Sequence, residues 1–197
     1  MDQREIPTDD DLAAAAAAGT RDAFEDLVVR YGAPVLAVVE KQVGEHHAAL
    51  DLTQEIWIKV FRALPRFKPG GSFRSWLFSI ALNHVRDARR REKRSRVVYI
   101  DEYRTPPVSS RKDDPRGRTE EQAAIELALG RVPEPFRSAV MLVDVLELSY
   151  DEAARSLECA VGTVKSRVSR GRFAFREVYE QGEEGQGQGV RAPGGSS

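Results

Sequence analysis

The chain has 197 residues, of which 41% are hydrophobic, and its 30 basic and 31 acidic side chains leave a net charge of −1. This length allows one large or two small domains with packed cores. No apolar run approaches the roughly 20 residues that a membrane-spanning helix needs, so we expect no membrane insertion. The single cysteine excludes an intrachain disulfide. Because the N-terminal residues show no basic-then-apolar leader pattern, we expect a cytoplasmic protein.

The charges are distributed unevenly along the chain. Residues 61–96 hold eleven basic and two acidic side chains, and residues 161–176 hold five basic and no acidic ones. Non-specific binding to DNA scales with the number of phosphates that a protein neutralises. The two basic patches in a nearly neutral chain therefore predict weak binding to DNA by the isolated protein, and strong binding once both patches are positioned.

The hydrophobic pattern is helical almost throughout and predicts an all-α fold of two small helical domains joined by a flexible linker. Residues 1–20 form an acidic, alanine-rich N-terminal segment, and residues 21–96 form the first domain. Pro34 is expected to kink or split the first helix of that domain. Ser72 is expected to cap its last helix. The predicted helices of the first domain are 22–43, 49–64 and about 73–94.

Proline, serine and aspartate are concentrated in residues 97–118, which predicts the linker. The only candidate strand, residues 97–100, lies at its start. The second domain covers residues 119–180, and residues 181–197 are rich in glycine and are predicted to be a disordered tail. The predicted helices of the second domain lie near 119–130, 134–147, 150–157 and 161–179.

Residues 149–172 have the pattern of a helix-turn-helix. Ser149 and Glu152 form a capping box that starts a short helix, residues 157–160 interrupt it, and a second helix begins near Val161. A helical wheel places the apolar side chains of this second helix in one arc: Val161, Val164, Val168 and Phe175. The opposite face and its flanks are polar or basic: Thr163, Lys165, Ser166, Arg167, Ser169 and Arg170.

Such a helix suits a DNA major groove, because it fits the groove and its side chains can reach base edges or phosphates. The alternative is an ordinary amphipathic helix with a solvated basic face. The absence of acidic residues from 161–176 favours DNA contact.

Together with two further blocks, these residues give the chain a family resemblance. It resembles the bacterial RNA polymerase sigma factors of the sigma-70 family, in the extracytoplasmic-function (ECF) group, over roughly residues 8–180. The blocks are 23–28 with Tyr31, 51–94, and 131–172. The resemblance implies a non-catalytic initiation subunit without a cofactor or a bound metal. The partners that it implies are core RNA polymerase (a helical hairpin of the largest subunit, and the flap region), promoter DNA and an anti-sigma factor.

By this resemblance, the second predicted helix binds core polymerase. Asp51, Gln54, Glu55 and Ile58 recur at three- and four-residue spacing, so they share one helix face. A solvated acidic face is the alternative interpretation. Trp57 and Phe61 are expected to face the core of their own domain. The predicted polymerase-binding residues are Asp51, Leu52, Gln54, Glu55 and Ile58.

The resemblance also implies that the loop 67–73 and the following helix bind the promoter −10 element and hold a base flipped out of the non-template strand. Phe67 could stack on that base and Asn83 could read its edge. Alternatively, Phe67 and Phe73 both fill the core, which we favour for Phe73. The predicted −10 residues are Phe67, Lys68, Asn83, Arg86, Arg89 and Arg90.

The helix-turn-helix matches the part of the family that binds the promoter −35 element. Ala160 stands where many relatives have a proline, and Ser169 where some have an aromatic residue. The predicted −35 residues are Thr163, Lys165, Ser166, Arg167, Ser169, Arg170 and Arg172.

Two other classes of function are open from the sequence. A stand-alone helix-turn-helix regulator would leave residues 21–96 without a role. An enzyme that acts on nucleic acid would need a catalytic constellation, and the sequence contains none of the common catalytic motifs.

Overall fold

The computed structural model describes residues 7–68, 71–98 and 119–187. These residues contain helices and no strand, which confirms the all-α fold. The candidate strand at 97–100 is wrong where it is described, because residues 97 and 98 end a helix. Of the predicted linker 97–118, residues 99–118 lie outside the described part.

The first domain contains four α-helices, because each has an apolar face long enough to pack against the others. Its core includes Leu27, Ile56, Leu77 and Phe78, none of which has exposed surface. The helices are α1 (Asp9–Ala17), α2 (Arg21–Val43), α3 (His46–Ala63) and α4 (Phe73–Val98), with a 3₁₀ turn at Leu64–Arg66.

Helix α1 was not predicted from the sequence, although its start is locally encoded. Thr8 and Asp11 form a capping box. Leu12 and Ala13 are buried, and α1 packs against α2 and α4. The N-terminal segment therefore contributes to the core of the first domain.

Pro34 does not split α2, which continues from Arg21 to Val43. Proline removes one backbone donor and disfavours the helix interior. Here Tyr31, Val35 and Val38 are buried on both sides of it, so tertiary packing holds the helix together.

The second domain contains four further helices. Helix α6 continues into a single π-helical turn, Met141–Val145, and these two pieces replace the one helix predicted at 134–147. The core includes Ala139, Leu142, Val164 and Val168. The helices are α5 (Glu120–Arg131), α6 (Phe136–Val140), α7 (Tyr150–Ser156) and α8 (Val161–Gly187).

The predicted disordered tail is wrong for residues 181–187, which belong to α8. Extending an existing helix costs far less than nucleating one, and this stretch has glutamate and glutamine among its glycines. The remainder of the tail, residues 188–197, lies outside the described part.

The two domains pack on each other, which the sequence did not predict. Helix α4 lies against α7, and α2 touches α5. One buried cluster of side chains includes residues of both domains.

Candidate functional site

The helix-turn-helix forms as the sequence predicted. Ser149 Oγ accepts the backbone N–H of Glu152 at 3.2 Å, and the Glu152 carboxylate accepts the backbone N–H of Ser149 at 3.0 Å. The turn between α7 and α8 includes Glu158 in the left-handed region, at φ 50°. Val164 and Val168 are fully or almost fully buried. The capping box therefore fixes the start of α7, and the buried apolar arc fixes which face of α8 points outward.

That outward face carries most of the predicted −35 residues. Lys165, Ser166, Ser169 and Arg170 are exposed, whereas Thr163 and Arg167 are half-buried. The Lys165 ammonium lies 5.8 Å from the centre of the Tyr150 ring, and the Arg170 guanidinium lies 5.9 Å from that of Phe136. Such contacts restrict long side chains without removing their charge. The face is therefore available to a polyanion as it stands.

Arg172 and Arg167 differ from Lys165 and Arg170 because their guanidinium groups donate hydrogen bonds to other side chains. Arg172 donates two hydrogen bonds to the Asp144 carboxylate, at 2.9 and 2.6 Å, and this ion pair raises the pKa of the guanidinium. Arg167 donates to the sulfur of Cys159 at 3.6 Å. Arg172 links α8 to the π-helical turn. In any contact with a phosphate, its positive charge would be partly neutralised by Asp144.

The predicted −10 residues of α4 lie where this helix faces the second domain. Arg86 is half-buried, and Arg89 and Arg90 are exposed. A cavity of about 400 Å³ lies between these arginines and the second domain, where Glu134 and Ser138 line its far side. Arg86, Arg89 and Arg90 therefore line a cleft between the domains.

Asn83, the predicted reader of a base edge, has both ends of its amide engaged. Its Nδ2 donates to the Glu158 carboxylate at 2.9 Å, and its Oδ1 accepts from Arg86 at 2.7 Å. Glu158 belongs to the turn of the helix-turn-helix. The side chain of Asn83, which was predicted to face DNA, is therefore already bonded to the second domain.

Phe67 is only 8% exposed and packs in an aromatic cluster with Phe73 and Trp76. Stacking of its ring on a base therefore requires the loop to rearrange. Phe73 is fully buried, as favoured from the sequence. Lys68 is exposed beside this cluster.

The start of α4 is held by a residue that sequence reasoning missed. Asp10 of α1 accepts the backbone N–H of Phe73 at 2.7 Å, and Ser72 Oγ accepts that of Ser75 at 3.3 Å. The predicted cap at Ser72 is thus confirmed, and Asp10 adds a second one from another helix. The capping pattern at Thr8 and Asp11 was the available signal for α1.

The predicted polymerase-binding face of α3 is open. Asp51, Gln54, Glu55 and Ile58 are exposed, and Leu52 is half-buried. Phe61 is 61% exposed, so the expectation that it faces the core is wrong. It lies at the edge of the domain and contacts the ring of Phe24 at a centroid distance of 5.1 Å.

Glu55 on this face is tied to a buried histidine. His84 is 3% exposed, and its Nε2 lies 2.7 Å from Glu55 Oε2. Its Nδ1 lies 2.7 Å from Lys59 Nζ. This contact could not be predicted from the sequence, because His84 lies on α4 and Glu55 and Lys59 lie on α3. It fixes the orientation of the acidic side chain at the surface.

None of the described helices combines the length and apolar character required to cross a bilayer. Within the same residues, no group of three or more histidine, cysteine, aspartate or glutamate side chains is arranged to hold a metal ion.

Comparison with known families gives two matches that follow the domain order. The family model for Sigma-70 region 2 matches residues 27–95, and the model for Sigma-70, region 4 matches residues 122–172. The first range includes α3 and most of α4, and the second includes the helix-turn-helix.

Three curated proteins are similar over most of the chain. The RNA polymerase sigma-H factor of Pseudomonas aeruginosa is 33% identical over 171 residues, which cover 82% of this chain and 89% of that protein. The ECF RNA polymerase sigma-E factor of Escherichia coli K12 is 32% identical over 177 residues, which cover 85% and 92%. The ECF RNA polymerase sigma factor SigE of Mycolicibacterium smegmatis is 35% identical over 156 residues, which cover 78% of this chain but only 60% of that protein.

Two solved structures are similar in three dimensions. One is CnrH in complex with the cytosolic domain of CnrY, with a TM-score of 0.67, 27% identity, and coverage of 88% of this chain and 97% of that one. The other is the sigma factor RpoE in complex with the anti-sigma factor NepR from Bartonella quintana, with a TM-score of 0.65, 27% identity, and coverage of 80% and 96%.

Proposed function

Because this chain belongs to the ECF group of the sigma-70 family of RNA polymerase sigma factors, we propose that it directs core polymerase to promoters with −10 and −35 elements and promotes DNA melting. The observation that carries this proposal is the pair of basic helices, α4 and α8, one in each domain, within the two matched sigma-70 regions in family order. From its membership of this family, we propose that the chain is a non-catalytic initiation subunit.

The second domain is proposed to bind the −35 element as a duplex. Ser166 and Arg170 point away from the core of the domain and would lie nearest the bases, while Lys165 would contact a phosphate. This division follows from their exposure on α8 and from the preference of arginine for base edges in the major groove.

The first domain is proposed to bind the −10 element as a partly melted strand. A flipped base needs a pocket with stacking and edge-reading groups, and unstacking it costs a few kcal/mol. Lys68, Arg89 and Arg90 supply exposed positive charge next to Asn83 and the aromatic cluster of Phe67.

The exposed face of α3 is proposed to dock on core polymerase. Its acidic side chains, Asp51 and Glu55, suit a basic partner. Ile58 and Phe61 give it an apolar centre, with 51% and 61% of their surfaces exposed. Charged residues around an apolar centre are typical of a specific protein interface.

The length of chain between the domains is compatible with simultaneous binding of both elements. The 21 residues between α4 and α5, numbers 99–119, can span at most about 75 Å when extended. Two turns of DNA measure about 70 Å. The domains themselves cover part of the distance between the two elements. The connecting segment is therefore long enough for both elements to be bound at once.

An anti-sigma factor is proposed as a further partner. The solved structure of RpoE with NepR is a sigma factor bound to an anti-sigma factor, and it covers most of this chain at a TM-score of 0.65.

The test is initiation in vitro on a promoter selected by footprinting the reconstituted holoenzyme on genomic DNA. Core polymerase should initiate there only when the chain is present, and the chain should pull down core polymerase. A chain that binds its duplex site tightly without polymerase, and leaves initiation unchanged, would instead be a stand-alone regulator.

A further inference from the structure

A buried imidazole joins helix α4 to two exposed, charged side chains of α3. His84 of α4 is 3% exposed. Its Nε2 lies 2.7 Å from Glu55 Oε2, and its Nδ1 lies 2.7 Å from Lys59 Nζ. Both partners belong to α3 and are exposed. One side chain from the interior of the domain therefore holds two charged groups at its surface.

The two partners determine which nitrogen of the ring carries the hydrogen. A lysine ammonium has only donors, so Lys59 donates and Nδ1 of His84 accepts. A carboxylate has only acceptors, so Nε2 of His84 carries the hydrogen and donates it to Glu55. The neutral ring with its hydrogen on Nε2 is therefore the form that satisfies both contacts at once.

The two charged side chains lie on the face of α3 that is proposed to dock on core polymerase. Glu55 and Lys59 are four residues apart, so they project from the same side of the helix. Ile58, which is 51% exposed, lies on that side as well. The side chain of Glu55 remains 55% exposed although its Oε2 is bonded, so a binding partner can still reach the carboxylate.

The orientation of such side chains affects binding because ordering them has a cost. Glutamate and lysine lose much conformational freedom when they are fixed in one rotamer. Side chains that are already held in the bound orientation reduce this cost of association. Because His84 is buried between α3 and α4, it is a more rigid partner for Glu55 and Lys59 than an exposed residue would be.

The neighbouring residue on α4 points elsewhere. Asn83 bonds to Glu158 and Arg86, whereas His84 bonds to α3. Consecutive residues on a helix are rotated by about 100°, so one helix can present adjacent side chains to different surfaces. A substitution at His84 therefore removes contacts with α3 and leaves the hydrogen bonds of Asn83 in place.

We propose that His84 is a positioning residue for the polymerase-binding face of α3, because its imidazole holds Glu55 and Lys59 in the orientation in which they meet core polymerase. Lys59, which the sequence did not assign to this face, thereby joins it. The surface of the polymerase is expected to offer a basic group to Glu55 and an acidic group to Lys59. This inference rests on the proposed function and adds a residue that itself touches neither polymerase nor DNA.

A double-mutant cycle with the full chain and core polymerase tests the proposal. His84→Leu removes both hydrogen bonds, and water can solvate Glu55 and Lys59 because they are exposed. By fluorescence titration, this variant should bind core polymerase about fivefold more weakly, the scale of one lost hydrogen bond. In a chain that carries Glu55→Ala and Lys59→Ala, the same substitution should change the affinity by less than about twofold, because nothing is left to position. Equal losses in the two backgrounds would overturn the proposal.

Two further variants distinguish positioning from simple filling of the interior. His84→Gln keeps one donor and one acceptor and should bind core polymerase within about twofold of the wild-type chain. Thr53→Val is the matched control, because Thr53 is also buried on α3 and its hydroxyl has no hydrogen-bond partner among the described residues. It should leave the affinity unchanged. A glutamine variant as weak as His84→Leu, or an equal loss for Thr53→Val, would contradict the proposal.

Nuclear magnetic resonance of the ring nitrogens tests the geometry even if His84→Leu fails to fold. The chain contains three histidines, and the signals that disappear in His84→Gln identify His84. In the wild-type chain, Nε2 should carry the hydrogen and Nδ1 should carry none. In the chain with Glu55→Ala and Lys59→Ala, this preference should be lost. The opposite tautomer in the wild-type chain would overturn the proposal.

The wild-type chain separates this inference from the proposed function. If the wild-type chain does not bind core polymerase, the proposed function is wrong. If it binds, and His84→Leu weakens binding equally in both backgrounds, only the positioning role of His84 is wrong.

Discussion

The two helices proposed to face DNA are presented in different ways. On α8, Lys165, Ser166 and Arg170 are exposed on a face fixed by local capping and core packing. On α4, Asn83 is bonded to Glu158, and Phe67 in the loop before α4 is 8% exposed. The proposed surface for duplex DNA on α8 is therefore complete before DNA arrives. The proposed contacts with a flipped base would require the bond between Asn83 and Glu158 to break and the loop of Phe67 to rearrange.

The largest expected effect concerns the packing of α8 on α6, which keeps the opposite face of α8 exposed. A Cβ on Gly171 would lie 2.5 Å from Val140 Cγ2 and 3.0 Å from the backbone oxygen of Phe136. Gly171→Ala should therefore lower the free energy of unfolding of the second domain by about 3 kcal/mol, through overpacking. Thermal or urea unfolding measures it.

Gly162→Ala in the same helix is the matched control, because a Cβ there meets nothing within 4 Å. It should leave stability unchanged or raise it by up to about 1 kcal/mol. Equal destabilisation by both variants would show that α6 and α8 are not in close contact at Gly171.

Base reading by α8 gives the next largest effect. Arg170→Ala should cost about 2 kcal/mol of holoenzyme affinity at one base pair of the −35 element and relax the preference there. Competition between promoters that differ at single positions measures it. Arg176→Ala, an exposed arginine farther along α8, controls for the loss of charge alone. A uniform loss on all sequences would instead assign Arg170 to a phosphate.

In the first domain, the proposed polymerase-binding face of α3 is open, whereas Asn83 on the proposed DNA-binding face of α4 is bonded to the second domain. Ile58→Ala should weaken binding of core polymerase by about 1.5 kcal/mol, because a half-exposed isoleucine becomes buried in the complex. Pull-down or fluorescence titration with core enzyme measures it. Val29→Ala should have no such effect, although Val29 is 83% exposed. Similar losses for both would place the interface elsewhere.

The smallest effect concerns the start of α4. Asp10→Ala should destabilise the first domain by about 1 kcal/mol, because the backbone N–H of Phe73 loses its acceptor. Asp10→Asn keeps an acceptor oxygen and should retain most of the stability. Chemical denaturation of the three proteins distinguishes them, and equal stability of all three would mean that Asp10 does not cap α4.

The local features of the helix-turn-helix could be predicted because they depend on residues close in the sequence. Ser149 and Glu152 are three positions apart, and Val164 and Val168 are four apart. Capping and helical periodicity act over such distances. The exposed set on α8 followed directly from that periodicity.

Other features failed because distant residues determine them. Phe61 has the apolar character of a core residue, yet it lies at the edge of its domain and is 61% exposed. The sequence did not predict the ion pair between Arg172 and Asp144, 28 positions earlier, whereas contact of Arg172 with DNA stays a prediction. Residues 181–187 have a disordered composition, but they extend an existing helix.

By itself, the sequence determined the helical composition of the chain, its two basic patches and the outward face of α8, because each results from local pattern and charge. Only the tertiary structure decided that α7 covers α4. That contact joins Ser72 to Glu152 across 80 positions and Ser75 to Ser156 across 81. Serine has no periodic signature, and its hydroxyl becomes an interdomain contact only where two helices approach closely enough for it to reach the opposite backbone.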